Sequence, residues 1–414
     1  MKYTKIKISL LLTILTFPFG QASLKAQTTQ IEKPFPYIVN IKAIDYAFQM
    51  PKEIKSGWVT FKFENMGHEM HFAQMYKFPD NVTEEGVLKF MANPSNEIFE
   101  KYIKGDITLI GGPGFHAPGQ QSQYTIQIEP GTYGIVCNTR TKEGVPHADL
   151  GMYKYFKVTN EDSGAERPVA DLKLSLEKYV IKADGQLQKG RQTVEVTHMG
   201  GDRFDMHLAK LNDTSTIAAT LKFFDHLMEP SQTLFEGGAE QKKVDKKSYV
   251  TVDFEPGDHA FLSHEYSAIG MFKKFTIPEN GNIVFNDNPA ERKAVEVKVI
   301  DNSIEVPHTL SAGPKQFNLS TKDDSHFVQI FRLEPGETIQ DYLKFKKEEY
   351  EMYKAHKEFS KENPTLGYYA NFKDSKKIRL NLRPGTYGIT CFQTDEDDKF
   401  DHMRNGEVQQ IIVK

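Results

Sequence analysis

The sequence repeats one pattern three times along its 414 residues. A histidine segment opens the pattern as "MHFAQMYKF", "MHLAKLND" and "SHFVQIFRL", which places His71, His207 and His326 in one frame. An L-K-F tripeptide and a T-L turn follow in the same order each time. The closing segments are "EPGTYGIVC", "EPGDHAFLS" and "RPGTYGITC", which align Cys137, Ser263 and Cys391. Repeats of this kind predict one structural unit used in tandem.

The repeat divides the chain into three predicted domains, called here copies one, two and three. Their bounds are 27–160, 165–280 and 290–414. Two polar stretches that contain glycine or proline, "NEDSGAERP" and "PENGNIVFNDNPAER", join the copies and are typical of linkers.

Short alternating segments predict strands throughout each copy. "IKAIDYAFQMP" and "GWVTFKFEN" have the period of half-buried strands, and "YKYFKVT", "FKKFTI" and "VQQIIVK" are predicted to close the copies. In the histidine segment, alternation would place His71, Ala73 and Met75 on one face. We therefore predict an all-β protein of three tandem Greek-key β-sandwich domains.

Each copy is also predicted to contain a helical insertion between its histidine strand and its glycine-rich turn. The clearest case is "TIQDYLKFKKEEYEMYKAHKEFSKEN" in copy three, where Ile339, Leu343, Tyr350 and Tyr353 recur at helical spacing.

The first 26 residues have the pattern of a secretory signal peptide. Lys2, Lys5 and Lys7 precede the apolar run "ISLLLTILTFPFG", and small residues follow. We expect a periplasmic or secreted protein with no membrane span, because the apolar run is shorter than the roughly 20 residues that cross a bilayer.

The charge of the chain argues against nucleic acid as a partner. The formal net charge of −4 becomes −8 once the four lysines of residues 1–26 are removed. A nucleic-acid-binding domain would carry a basic surface instead.

Copy one brings together the residue types of a copper site. Cys137, His147 and Met152 have the spacing C-x9-H-x4-M in the last loop, and His71 comes from an earlier strand. Two imidazoles, a thiolate and a weak thioether are the ligands of a blue-copper centre. The sequence thus predicts copper, bound for single-electron transfer.

The pattern N-x-G-x-x-x-H at Asn65 to His71, with P-G-x-Y-x-x-x-C, G-x-P-H and G-M between Pro130 and Met152, resembles the cupredoxins. It is especially similar to exported bacterial proteins whose loop reads GxPHxxxGM. The resemblance covers copy one and, more weakly, the other two copies. It implies copper ligation by His71, Cys137, His147 and Met152, and a redox protein as partner.

Each of these residues also has a plainer interpretation. His68 lies three residues before His71 and could be taken for the ligand, but only His71 recurs in all copies. Met152 alone would be a core residue, and Cys137 alone a small buried hydrophobe. The two cysteines could also form a disulfide. The repeat favours two separate ligands, since a bridge would require the same end of two domains to meet.

The other two copies depart from the ligand pattern. Copy two has Ser263 in place of the thiol and Tyr266 near the expected imidazole, while His207 and Met271 remain. It is predicted to be a degenerate copy kept for packing or binding, with a thiolate-free metal site as the alternative. Copy three keeps His326, Cys391 and His402 with spacing C-x10-H-x4-E. Glu407 stands in the position of Met152, with Met403 as a competing ligand, and a carboxylate there would favour the oxidised ion.

Two alternatives to electron transfer remain at this point. An oxidase or reductase is disfavoured, because neither cysteine has a histidine beside it to connect the blue site to a catalytic copper cluster. A copper carrier or binding scaffold is compatible with the degenerate second copy.

Overall fold

The computed structural model describes residues 36–199, 204–242, 247–286, 294–300, 303–321, 326–355, 357, 361, 363–372, 376–392, 403 and 406–414. These residues belong to one compact unit. The proposed signal peptide, residues 1–26, and the predicted ligand His402 lie outside the described residues. No helix among the residues that are described is long and apolar enough to cross a membrane.

Copy one contains eight strands and a helical insertion. The strands are β1 (Ile38–Ile44), β2 (Ala47–Gln49), β3 (Glu53–Asn65), β4 (Gln74–Phe78), β5 (Thr108–Gly111), β6 (Gln121–Ile128), β7 (Gly131–Val136) and β8 (Tyr153–Asp162). Its helices follow β4 and are α1 (Glu84–Ala92), α2 (Asn96–Ile98) and a π-helical turn at Phe99–Ile103.

Copy two and the linker after it follow the same order. Their strands are β9 (Leu172–Glu177), β10 (Val180–Gln188), β11 (Gly190–His198), β12 (Met206–Lys210), β13 (Leu234–Ala239), β14 (Lys247–Phe254), β15 (Gly257–Leu262), β16 (Phe272–Ile277) and β17 (Asn282–Asn286). Helix α3 (Ile217–His226) follows β12, and a 3-10 turn spans Ser267–Ile269.

Copy three repeats the order once more. Its strands are β18 (Ala294–Ile300), β19 (Ser303–Glu305), β20 (Thr309–Leu310), β21 (Gly313–Ser320), β22 (Val328–Leu333), β23 (Thr365–Asn371), β24 (Lys377–Leu382), β25 (Gly385–Cys391) and β26 (Val408–Val413). Helix α4 (Ile339–Lys354) follows β22. The predicted all-β architecture with a helical insertion in each copy is confirmed.

Strand pairing is equivalent in the three copies. One sheet contains a parallel pair, which is β1 with β3, β9 with β11 or β18 with β21. The order β5-β4-β7-β8 recurs as β13-β12-β15-β16 and β23-β22-β25-β26. In copies two and three these strands belong to a second sheet, whereas in copy one β8 also pairs with β3 and joins the two sheets. Alternating burial along β1 and β18 points every second residue into the core, as half-buried strands require. The division of the chain into three domains at the stated bounds stays a prediction.

The turn before the cysteine strand shows why a glycine recurs there. Gly131, Gly257 and Gly385 have φ angles of 147°, 126° and 148°, a backbone region that side chains disfavour. In each copy this glycine begins the strand that leads to Cys137, Ser263 or Cys391.

Copies one and two are joined through their backbones. Strand β6 pairs with β14, and the glycine-rich segment that follows β5 is hydrogen-bonded to β13. Gly114 N donates to Gly238 O at 3.1 Å, and Gly237 N donates to Phe115 O at 2.9 Å. The buried core is continuous through all three copies, with Phe61, Leu208 and Ile330 among its members.

Three local expectations differ from the structure. His71 lies before β4 in an isolated bridge with His116, so the strand begins later than its alternating pattern suggests. The second predicted linker contains β17, which pairs with β10. Tyr353 of α4 is 65% exposed, and the buried residues of this helix are Ile339, Tyr342, Phe345 and Tyr350.

Candidate metal centre

Three potential ligands of copy one meet in the core. The ligand atoms of His71, Cys137 and His147 all lie within 4.8 Å of one another. Cys137 Sγ is 3.9 Å from His71 Nδ1 and 3.8 Å from His147 Nδ1. All three residues are fully buried.

The last loop holds the predicted fourth ligand beside them. Cys137 N donates to Met152 O at 3.1 Å, and Met152 N donates to His147 O at 2.9 Å. Met152 is fully buried. These two backbone hydrogen bonds hold Met152 next to both Cys137 and His147, as the short C-x9-H-x4-M spacing suggests.

A carboxylate lies at the outer nitrogen of each imidazole. His71 Nε2 is hydrogen-bonded to Asp45 Oδ1 at 3.1 Å, and His147 Nε2 lies 2.8 Å from Glu69 Oε2. Tyr46 OH donates to the same Glu69 oxygen. A carboxylate at Nε2 favours the tautomer that leaves Nδ1 with a lone pair and makes the ring a stronger donor. Both Nδ1 atoms face Cys137, so this arrangement suits a metal between them.

Burial controls protonation in this centre. Burial, followed by the charge of His147, lowers the pKa of His71 to about 4, so the ring is neutral at neutral pH. Burial raises the pKa of Cys137 to about 11, although hydrogen bonds from Thr139 and the backbone of Phe72 act in the opposite direction. A metal ion that binds to the Cys137 thiolate must therefore displace the proton of the thiol.

The N-x-G pattern before His71 has a direct steric reason. Asn65 Oδ1 accepts from Gly67 N at 2.9 Å, and its amide donates to the carbonyls of Glu69 and His116. A Cβ on Gly67 would lie 2.2 Å from Asp45 Oδ1 and 2.7 Å from His71 Nε2. Glycine at this position leaves space for the bond between the carboxylate and the imidazole.

Copy three has a different set of donor groups at the equivalent position. Cys391 Sγ is 3.7 Å from His326 Nδ1, and the same nitrogen is 3.1 Å from Glu407 Oε2. Cys391 N donates to Glu407 O at 3.0 Å, the counterpart of the bond between Cys137 and Met152. Met403, the competing ligand, packs instead in an apolar cluster with Phe331 and Tyr342.

Copy two has no thiol at this position, and the carboxylate of Asp205 is hydrogen-bonded to the serine that replaces it. Asp205 Oδ1 accepts from the hydroxyl of Ser263 and from His264 N, both at 2.8 Å, while Asp205 Oδ2 is 3.3 Å from His207 Nε2. His207 Nδ1 accepts from Phe115 N. The ring proton is therefore on Nε2, and the backbone amide of Phe115 uses the lone pair of Nδ1.

That network also determines the charge of the cluster. Burial alone would raise the pKa of Asp205, but His207, His264 and Ser263 bring it below its usual value. Burial, followed by the charge of Asp205, raises the pKa of the nearby Glu240 well above its usual range. The two acids of this cluster thus have pKa values shifted in opposite directions.

Neither Cys137 nor Cys391 forms a disulfide. The sequence patterns did not identify Asp45, Tyr46, Glu69 or Thr139 as parts of the centre. A signal for Glu69 exists, because an acid stands two residues before the recurring histidine in every copy, at Glu69, Asp205 and Asp324. Asp45 leaves no such pattern.

Comparisons with known proteins give distant structural similarity alone. No protein-family model matches the sequence, and no curated protein sequence matches it. Auracyanin from Roseiflexus castenholzii aligns at 20% identity over 30% of this chain and 96% of its own, with a TM-score of 0.19. Auracyanin A from Chloroflexus aurantiacus, described as a blue copper protein, aligns at 18% identity over 30% of this chain and 100% of its own, with a TM-score of 0.21.

Other similarities extend over most of the chain, among them one to an oxidase. A multi-copper oxidase from Pediococcus acidilactici aligns at 9% identity over 91% of this chain and 87% of its own, with a TM-score of 0.17. At such TM-scores these likenesses have no weight in assigning the fold, which rests on the strands and pairings described above.

Proposed function

We propose that the chain is an exported copper protein that transfers single electrons through the centre of copy one. His71, Cys137, His147 and Met152 would hold the ion, which supplies a one-electron couple when it is bound. The observation that carries the proposal is the convergence of two imidazole Nδ1 atoms on one buried cysteine sulfur.

The distances between the cysteine sulfur and the two imidazole nitrogens fit one metal ion bound to all three atoms. Metal–nitrogen and metal–sulfur bonds of roughly 2.0 and 2.3 Å, about 120° apart, separate the two ligand atoms by about 3.7 Å. The sulfur–nitrogen distances of 3.9 and 3.8 Å are close to that value. Soft thiolate with imidazole is the donor combination that selects copper for electron transfer.

The chain's own residues would serve transfer by holding the ligands still. Asp45 and Glu69 orient the two rings, and burial excludes water from the sulfur. A rigid site that keeps its shape in both oxidation states requires little rearrangement when an electron moves. The same proposal includes three tandem cupredoxin-like domains and a leader, residues 1–26, that is cleaved. It also includes a periplasmic or secreted location and a redox protein as partner.

Copy three is proposed as a second site of different character, with His326, Cys391, His402 and Glu407 as ligands. A carboxylate in place of a thioether favours the oxidised ion and would lower the reduction potential relative to copy one. A copper carrier is the second candidate function, favoured by the replacement of the copy-two thiol by Ser263 and its bond to Asp205.

Copper titration of the mature protein tests the proposal. Wild type should develop an intense visible thiolate-to-copper band, and Cys137→Ser should remove the part of that band that belongs to copy one. Cys391→Ser is the matched control, because it removes the equivalent thiol of copy three and should leave the copy-one band in place. A colourless wild-type protein would refute electron transfer at this centre, and a weak band with fast copper exchange would favour the carrier.

A further inference from the structure

A single segment of copy two is hydrogen-bonded to both ligand-bearing segments of copy one. This segment, Leu227–Glu229, follows helix α3, whose C-cap Leu227 has a φ angle of 50°. It pairs with Arg140, which lies between Cys137 and His147 in the sequence.

The first set of contacts fixes the loop between the thiol and the second imidazole. Arg140 N donates to Leu227 O at 2.7 Å, and Glu229 N donates to Arg140 O at 3.0 Å. The preceding residue, Thr139, has its hydroxyl 3.0 Å from Cys137 Sγ and 2.8 Å from His147 Nδ1. The segment of copy two therefore holds the backbone next to a side chain that touches two predicted ligands.

The second set fixes the peptide that leads to the first imidazole. Met70 N donates to Glu229 Oε1 at 2.7 Å, and the hydroxyl of Thr139 lies 2.9 Å from Met70 O. The other carboxylate oxygen of Glu229 accepts from Ser231 N at 2.6 Å, which orients the carboxylate. Both hydrogen-bonding groups of Met70 are occupied, one by copy two and one by the loop after Cys137.

We propose that Glu229 of copy two is a positioning residue of the copy-one metal centre, which gives copy two, itself without a thiolate, a function. Glu229 would fix the separation of His71 from the Cys137–His147 loop without touching a ligand itself. This inference rests on the proposed function, since it assigns a role within that site. Outer-sphere groups that orient ligands typically change metal affinity by about 10- to 100-fold when they are removed.

The test compares Glu229→Ala with wild type in the full mature chain. Copper affinity, measured by competition with a chelator, should fall by about 10-fold or more. The copper hyperfine splitting in electron spin resonance should also change, because the ligand geometry relaxes. Glu255→Ala is the control, since Glu255 is an exposed carboxylate of copy two that pairs with Lys210 at the surface, and it should leave both values unchanged.

A readout without metal separates this inference from the proposed function. In the metal-free protein, Glu229→Ala should speed up hydrogen exchange at the Met70 and Arg140 amides by about 10-fold, with little change at the amides of copy three. Glu229→Gln keeps an oxygen acceptor and should restore most of the protection and the affinity, which also covers the case in which the alanine variant fails to fold.

The outcomes distinguish the two claims. A wild-type protein without the visible band refutes the proposed function, whatever Glu229 does. A blue wild-type protein whose Glu229→Ala and Glu229→Gln variants keep copper affinity within twofold, the same hyperfine splitting and the same amide protection would overturn the role of Glu229.

Discussion

At the scale of single residues, the centre contains more than its candidate ligands, because a carboxylate lies at the outer nitrogen of each imidazole. Asp45 lies at His71 and Glu69 lies at His147. A carboxylate there raises the basicity of the ring and stabilises the more positive state of a bound ion. The reduction potential of the centre should therefore depend on residues that never touch the metal.

Glu69→Gln tests that dependence. The amide keeps the size of the side chain but removes the negative charge at His147 Nε2, so the reduction potential should rise. The difference between a charged and a neutral hydrogen bond is about 1 kcal/mol, which corresponds to about 40 mV for one electron. Voltammetry of the copper-loaded protein would measure it.

Glu143→Gln is the matched control for this change. Glu143 lies in the same loop, but its exposed side chain pairs with Lys142 at the surface, so its removal should leave the potential nearly unaltered. An unchanged or lowered potential in Glu69→Gln would contradict the assigned role of the carboxylate.

Much of the copy-one centre is predictable from residue spacing, but its surroundings are not. Cys137, His147 and Met152 lie in one short loop, and His71 recurs in register, so pattern alone groups them. Asp45 reaches His71 across 26 positions of sequence, and Glu229 reaches Met70 across 159. Contacts of that range depend on how sheets and copies pack, which no local pattern encodes.

At the scale of elements, the three insertions begin in the same way. A threonine caps each main helix, and its hydroxyl accepts an amide three residues further on, at Thr83, Thr216 and Thr338. Copy three adds the reciprocal bond from Thr338 N to Asp341, which completes a capping box. The helices thus begin at a side chain that satisfies otherwise unpaired amides.

Removing a cap should reduce stability by a predictable amount. Thr338→Ala should lower the free energy of unfolding by about 1 kcal/mol, measured by urea denaturation of the metal-free protein. Thr338→Ser retains the hydroxyl and serves as the control, with a loss well below that of alanine. Equal stability of the alanine variant and wild type would show that the cap contributes nothing.

The helical pattern of copy three predicts the existence of α4 and part of its buried face, since Ile339 and Tyr350 are buried. The sequence pattern groups Ile339, Leu343, Tyr350 and Tyr353, whereas Tyr342 and Phe345 are buried and Tyr353 is largely exposed. Which side of an aromatic-rich helix faces the sheet depends on the sheet. The pattern of a single helix cannot specify it.

At the scale of the whole molecule, buried neutral histidines link folding to pH. Burial, followed by the charge of Lys242, lowers the pKa of His198 to about 4. In the unfolded chain the same group titrates at about 6.5. Between these values the unfolded state binds more protons, so stability falls as pH falls from about 6.5 towards 4.

His198→Gln measures this effect directly. The amide can still donate to Phe204 O, as His198 Nδ1 does, but it cannot take up a proton. Proton uptake on unfolding near pH 5 should fall by about one, and the pH-dependent loss of stability between pH 7 and 5 should shrink by about 2 kcal/mol. The same pH dependence in the variant and wild type would contradict a neutral, buried His198.

The candidate centre of copy one depends on contacts between copies one and two. The glycine-rich segment after β5 is hydrogen-bonded to β13, and Leu227–Glu229 is hydrogen-bonded to the loop after Cys137. The third copy presents His326, Cys391 and Glu407 at its own equivalent address. The molecule therefore arranges one recurring frame into two thiol-containing centres and one carboxylate-filled counterpart.

Copper stoichiometry with electron spin resonance of the Cys391→Ser protein tests the central claim most directly. This variant retains the thiol of copy one and removes that of copy three. We expect one tightly bound copper per chain, with the narrow hyperfine splitting that a covalent copper–thiolate bond produces. Absence of tightly bound copper, or a wide splitting typical of copper held by histidines alone, would contradict it.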